Sequence, residues 1–200
     1  LGLQGQELLD QGVFLLNTQM AGMLLGGILW GVLGDKKGRV KILFGSIFLY
    51  SIANIANGFV NSVEGYAVWR FIAGIGLAGE LGAGITLVLE TLPKETRGYG
   101  TMVVASVGVA GAVLANFVAK YFAWRIAYFI GGGLGMLLLI LRISVFESGM
   151  FKGIEGMNIS KGNFLHLFTN RQRFMKYMKS ILIGLPAWFS VGILITFSPE

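Results

Sequence analysis

Gly31-Val-Leu-Gly-Asp35-Lys36-Lys37-Gly38-Arg39 stands between two apolar runs, one closing near residue 34 and the next opening near residue 40. The spacing predicts a helix that ends at a tight two-glycine turn. One carboxylate and three basic residues crowd a very short connection there. Asp35 can sit against the positive N-terminus of a neighbouring helix. The basic side chains can pair with carboxylates at other helix ends. A loop that is merely basic explains the lysines and the arginine, but not the spaced glycines and the aspartate.

Outward from this turn the chain is apolar. Hydrophobic residues make up 54% of its 200 positions and charged residues 13%, about half the ~25% charged of a soluble domain. A bilayer core of about 30 Å needs roughly 20 apolar helical residues. Stretches 11–34, 40–60, 66–89, 99–118, 124–145 and 180–197 meet or nearly meet that length. The 31 glycines follow no collagen period and suit helices packed at close range. Gly22 and Gly26, Gly27 and Gly31, the series Gly74 to Gly84, and Gly108 and Gly111 are spaced for such packing. With no cysteine and a single histidine, His166, a disulfide framework, a Cys- or His-cluster metal site and a thiol nucleophile are excluded.

Charge orients the spans. Lys36, Lys37, Arg39, Lys41, Lys94, Arg97, Arg142, Lys152, Lys161, Arg171, Arg173, Lys176 and Lys179 fall on alternate connections, thirteen of the 16 basic residues. Only Lys120 and Arg125 lie in the opposite set, with Arg70 just inside the third span. Basic connections stay cytoplasmic, so 61–65 and 119–123 are external. The net charge of +6 faces the inner leaflet and marks no nucleic-acid site.

With these features in place, the chain resembles the major facilitator superfamily of secondary transporters. That family's signature G-x-x-x-D-(R/K)-x-G-R, between its helices 2 and 3, is matched at Gly31, Asp35, Lys36, Gly38 and Arg39. Arg70-Phe-Ile-Ala-Gly74-Ile-Gly76 is similar to its R-x-x-x-G-x-G in helix 4, and Glu90…Pro93…Arg97-Gly98 to its helix 4–5 turn. Trp124-Arg125 and Phe146-Glu147-Ser148 resemble the start and end of helix 6. The six spans then correspond to family helices 2 to 7. Two departures bear on the branch. Gly108-Val-Ala-Gly111-Ala-Val-Leu-Ala115 lacks the proline of antiporters, and Glu147-Ser148-Gly149-Met150 lacks the proline and arginine of sugar porters. Gly76-Leu-Ala-Gly79-Glu80 looks instead like the G-x-x-G-E of metabolite:proton symporters.

Glu80 lies deep in the third span, where a carboxylate costs about 2.5–3.5 kcal/mol to insert. Desolvation would let it take up and release a proton, or it could simply brace helix packing beside Ala73, Gly76 and Gly84. Arg70, nearer the outer end, either snorkels to the interface or, as the resemblance implies, faces substrate or a coupling carboxylate. Ten positions separate the two, about 80° round the helix, so they do not share a face. Asn17 and Gln19 are roughly 200° apart and cannot both face one cavity. Asn17 and Asn116 are taken as cavity candidates, because family helices 2 and 5 approach the pathway. Asn54 and Asn57 share a face and read as interhelical hydrogen-bonding groups. Segment 160–179 suits helices along the inner leaflet, with His166 interfacial.

The expected fold is an all-α integral membrane bundle, an incomplete major facilitator fold with six transmembrane helices. It divides into 1–146 (family helices 2–6), a cytoplasmic connection 147–179, and 180–200 as the first helix of a second half. The chain reads as a piece of a longer protein in which helix 1 and helices 8 to 12 lie elsewhere. The resemblance implies a multi-pass transporter of the plasma or bacterial inner membrane, without cofactor and without enzymatic activity. It would move a small polar metabolite, with protons, by alternating access. Its partners would be substrate, protons, lipid and the remaining transporter half. An efflux antiporter and a non-transporting receptor on the same bundle are the alternatives. Family topology further brings Asp35, Arg39, Glu90, Arg97 and Glu147 to the cytoplasmic helix ends as one gating network.

Overall fold

The computed structural model describes residues 5–141, 153 and 162–189. It consists of α1 (Gly5–Lys37), α2 (Arg39–Phe59), α3 (Val63–Thr91), α4 (Arg97–Tyr121), α5 (Trp124–Leu141), α6 (His166–Thr169) and α7 (Arg171–Phe189). The chain divides into two compact units, Leu1–Gly162 and Asn163–Glu200. The first five helices are each long and apolar enough to cross a membrane. At 1.5 Å per residue, the 33 residues of α1 extend about 50 Å, well past a hydrocarbon core.

Turn chemistry sets the first boundary. α1 continues to Lys37, and the expected two-glycine turn is a single residue. Gly38 adopts φ 100°, a conformation that L side chains rarely reach, and its N–H donates to Gly34 O at 3.1 Å. Gly31 and Gly34 lie inside the helix. Ser62 caps α3 by accepting from Gly65 N at 3.2 Å, satisfying one donor at the helix start.

Within the first unit α3 is central, packed against α1 on one side and α2 on the other. Small residues permit both contacts. Gly22 of α1 rests on the carbonyl of Phe71, and Gly74 of α3 rests on the backbone of Gln19 and Met23. A Cβ on Gly26 would meet Ile75 O at 2.5 Å, and one on Gly76 would meet Tyr50 N at 2.7 Å. Gly79 receives the indole of Trp30, whose Nε1–H donates to Ile75 O at 2.7 Å. α5 lies on α2 through Gly132 and Gly135, both against Ser51. A Cβ added at Gly27, Gly31, Gly108 or Gly111 would meet nothing within 4 Å among the described residues, so spacing alone does not separate the glycines that seat a partner from those that face open space.

Near the end of α3 that carries Glu90, Ile42, Leu43 and Ala83 form the apolar core with Trp30, Leu33 and Leu87 against it. Further along α2 the buried face is mixed: Ser46, Ser51, Asn54 and Asn57 are buried beside Ile47 and Ala53. Asn54 donates to Tyr50 O of its own helix at 2.9 Å, not across to a neighbour as its face suggested. The side-chain amide of Asn57 is fully buried and meets no hydrogen-bond partner among the described residues. α4 has no buried residue.

In the second unit, Asn170 caps α7 by accepting from Gln172 N at 2.8 Å. α7 then runs unbroken from the basic stretch into the apolar one. The boundary expected at 179/180 is therefore not a helix end, since Arg, Gln, Met, Lys and Leu all favour helix. Residues 142–145 of the fifth expected span and 190–197 of the sixth lie outside the described residues.

Candidate functional site

Two clusters organise the chemistry of the first unit. The first gathers where α1, α2 and α3 meet. Arg39 opens α2 directly after the Gly38 turn, which aims its guanidinium back across the end of α1. Its Nη1 donates to Asp35 Oδ1 at 2.7 Å. On its other side, Nε and Nη2 donate to Glu90 Oε1 at 3.2 and 3.1 Å. One arginine thus ties the α1–α2 turn to the last turn of α3. The two links differ in shielding: the Asp35 side chain is 49% exposed and that of Glu90 18%. A Cβ on Gly34 would come within 3.3 Å of Arg39 Nη1, so that small residue leaves room for the bridge. Arg97 turns back over the Pro93 turn and donates from Nε to Leu92 O at 3.2 Å, satisfying a carbonyl at the C-terminus of α3. Lys36 is exposed beside this bridge. Glu147 lies outside the described residues.

The second cluster lies at the opposite end of α3 and surrounds Arg70. Its Nη1 donates to Gln19 Oε1 at 2.8 Å and its Nη2 to Tyr66 OH at 2.9 Å. The guanidinium also lies over the rings of Tyr66 and Tyr128, at 5.1 and 4.9 Å from their centroids. The two phenol hydroxyls hydrogen-bond to each other, and Trp124 packs edge-on against both rings. Next to this cluster Arg125 caps the C-terminus of α2, donating to Gly58 O at 3.3 Å and Asn61 Oδ1 at 2.7 Å. A cation there opposes the negative end of the helix dipole.

Gln19, rather than Asn17, reaches Arg70. Asn17 and Asn116 are both exposed in the first unit. Glu80 is half-buried in α3, three residues past the helix midpoint, and Arg70's hydrogen bonds go to other residues. Neither Tyr66 nor Tyr128 stands out among the candidate residues of the sequence. Tyr66 is four residues before Arg70 on one helix and so shares its face, a signal that was available. Tyr128 arrives from α5 and had no local signal.

Five helices long and apolar enough to cross a membrane, three of them tied at one end by the Arg39 ion bridge, mark a multi-pass membrane protein. The model of the Major Facilitator Superfamily matches residues 9–200, and the chain belongs to that family. It is 30% identical over 174 residues to the putative niacin/nicotinamide transporter NiaP of Bacillus subtilis, covering 85% of this chain and 42% of that protein. It is 32% identical over 148 residues to the sialic acid transporter NanX of Escherichia coli, covering 72% and 36% respectively. The chain therefore spans less than half the length of these relatives. Among solved structures, the proton:xylose symporter XylE bound to 6-bromo-6-deoxy-D-glucose superposes with a TM-score of 0.65 at 18% identity. That match covers 78% of this chain and 39% of XylE, and it supports the incomplete major facilitator fold. The relatives are transporters, not enzymes.

Proposed function

We propose that this chain is part of a secondary transporter that moves a small polar metabolite by proton-coupled symport. Family membership supports transport by alternating access between two halves about a central site. The relatives named for niacin and sialic acid support a small polar substrate. The observation that carries the coupling is Glu80, a carboxylate set about 4–5 Å beyond the middle of a membrane helix. Carboxylates at such depth are costly to insert and mark ion pathways and proton relays in transporters. Substrate and proton would load from outside, where Arg70 stands, and the Arg39 bridge would hold the cytoplasmic side shut until the halves rock. Asn17 and Asn116 remain candidates for the pathway wall. The distribution of basic residues supports a cytoplasmic position for the Arg39 bridge, and the bacterial relatives support a plasma or bacterial inner membrane location.

The test is transport by the complete protein in proteoliposomes under an imposed pH gradient. Glu80→Gln should abolish pH-driven accumulation yet retain substrate exchange between equal pools. Normal accumulation by that variant would leave Glu80 a packing residue. Accumulation opposite to the proton flow would replace symport by antiport.

A further inference from the structure

We propose that the face of α7 bearing Arg171, Lys176 and Lys179 is a binding site for an anionic phospholipid of the inner leaflet. Such a site goes beyond the transport reading above and holds whatever the transported substrate is.

Charge marks the face. Residues 163–189 carry four arginines and lysines and no aspartate or glutamate. Arg171, Lys176 and Lys179 are exposed, and among the described residues none of them reaches a carboxylate. Together with Gln172 and Met175 they line an open groove of about 520 Å³. These five residues occupy about 140° of the helix circumference and about 12 Å of its length. The fourth cation, Arg173, does not line the groove and lies about 130° from the centre of that arc. The positive charge is therefore gathered on one side of the helix, and the positive end of the α7 dipole adds to it.

Geometry selects the ligand. Just past Lys179 the same side of the helix turns apolar. Leu182 is 58% exposed and Ile183 80% exposed, and both fall within the arc set by Arg171 and Lys176. One strip of α7 is thus cationic first and apolar afterwards, which is the order of a phospholipid read from phosphate to acyl chain. The guanidinium of Arg171 offers a fork to phosphate oxygens, and the two lysines add compact point charges. The thioether of Met175 sits among them as a flexible apolar lining. The distribution of basic residues puts this end of α7 on the cytoplasmic side, where clustered Lys and Arg attract anionic lipid. A soluble anion would use the cations and leave Leu182 and Ile183 uncovered. A phosphatidylcholine would cover them but bring a fourth cation into the groove.

The test titrates the complete purified transporter in detergent with phosphatidylglycerol and with phosphatidylcholine of the same acyl chains, and counts bound lipid by native mass spectrometry. Each basic residue beside an anionic headgroup contributes about fivefold, so phosphatidylglycerol should bind about tenfold or more tightly than phosphatidylcholine. Lys176→Gln alone should cost about fivefold. Arg171→Gln, Lys176→Gln and Lys179→Gln together should abolish the preference. Two controls separate a built site from general charge. Arg173→Gln should lower affinity less than about twofold. Lys37→Gln, Lys41→Gln and Lys94→Gln together remove the same charge from exposed positions of the first unit and should leave the preference in place. Equal binding of the two lipids, an undiminished preference in the groove triple, or equal losses in the two triples would each overturn the site. Inorganic phosphate and glycerophosphoglycerol, which lack acyl chains, should not displace the lipid. Displacement by either would make the groove a soluble-anion site and overturn the lipid.

Discussion

Arg39 shows how one residue can join elements that the sequence keeps far apart. Glu90 is 51 positions from it, yet both Nε and Nη2 donate to a single Glu90 oxygen. The carboxylate of Glu90 is largely shielded, whereas that of Asp35 is half in solvent. Exposed ion pairs contribute about 0.2–1 kcal/mol, and hydrogen bonds to charged groups about 1.5–3 kcal/mol. Glu90→Gln should therefore disturb the bridge more than Asp35→Asn. If the access states differ by only a few kcal/mol, Glu90→Gln should raise cytoplasmic accessibility about tenfold and Asp35→Asn about twofold. The measurement is thiol labelling of cysteines introduced at cavity positions, on a chain that has no native cysteine. Equal effects of the two variants would mean that shielding does not set the strength of the bridge. The matched motif around Asp35 and Arg39 was legible because turn chemistry and charge are local. That Glu90 completes it was implied only by resemblance, because contact between residues so distant in sequence depends on how three helices pack.

At the level of the helices, the glycines decide how closely α3 approaches its neighbours. Gly74 sits on the backbone of Gln19 and Met23 in α1, where rigid main-chain atoms leave no room for a methyl group. Gly74→Ala should push α1 from α3 and cost about 1–3 kcal/mol. Because Gln19 lies in that contact, the variant should also weaken the hold on Arg70. Gly27→Ala has open space in the first unit and should change stability by no more than about 0.5 kcal/mol. Thermal unfolding of both variants in the same detergent checks the contrast. Comparable losses at the two positions would show that Gly27 packs against something the first unit does not contain. In sequence the two glycines look alike. Small-x-x-x-small spacing identifies a helix face that can approach another, but not which of several such faces finds a partner.

At the largest scale, the first unit alternates between two ends. The Gly38 and Pro93 turns lie at one end and the 60–62 and 122–123 turns at the other, with most of the first unit's described basic residues, Lys36, Lys37, Arg39, Lys41, Lys94 and Arg97, at the first. A cysteine at Lys94 should therefore react only after the membrane is made permeable, and one at Ala123 should react in intact cells. Labelling of both from outside would reverse or break the assigned topology. By itself the sequence determined the membrane class and the five spans within the described residues, and it set a short connection between the first two of them, though not that Gly38 alone makes the turn. Each of these follows from hydropathy, charge or backbone freedom within a few residues. Only the tertiary structure decided which polar groups meet. Asn17 and Gln19 are equally polar and two positions apart, and the rotation of α1 about its own axis selects between them. That rotation is set by Gly22, Gly26 and Gly74 seating against partner backbone. A steric fit between distant segments leaves no trace in the local pattern of either one.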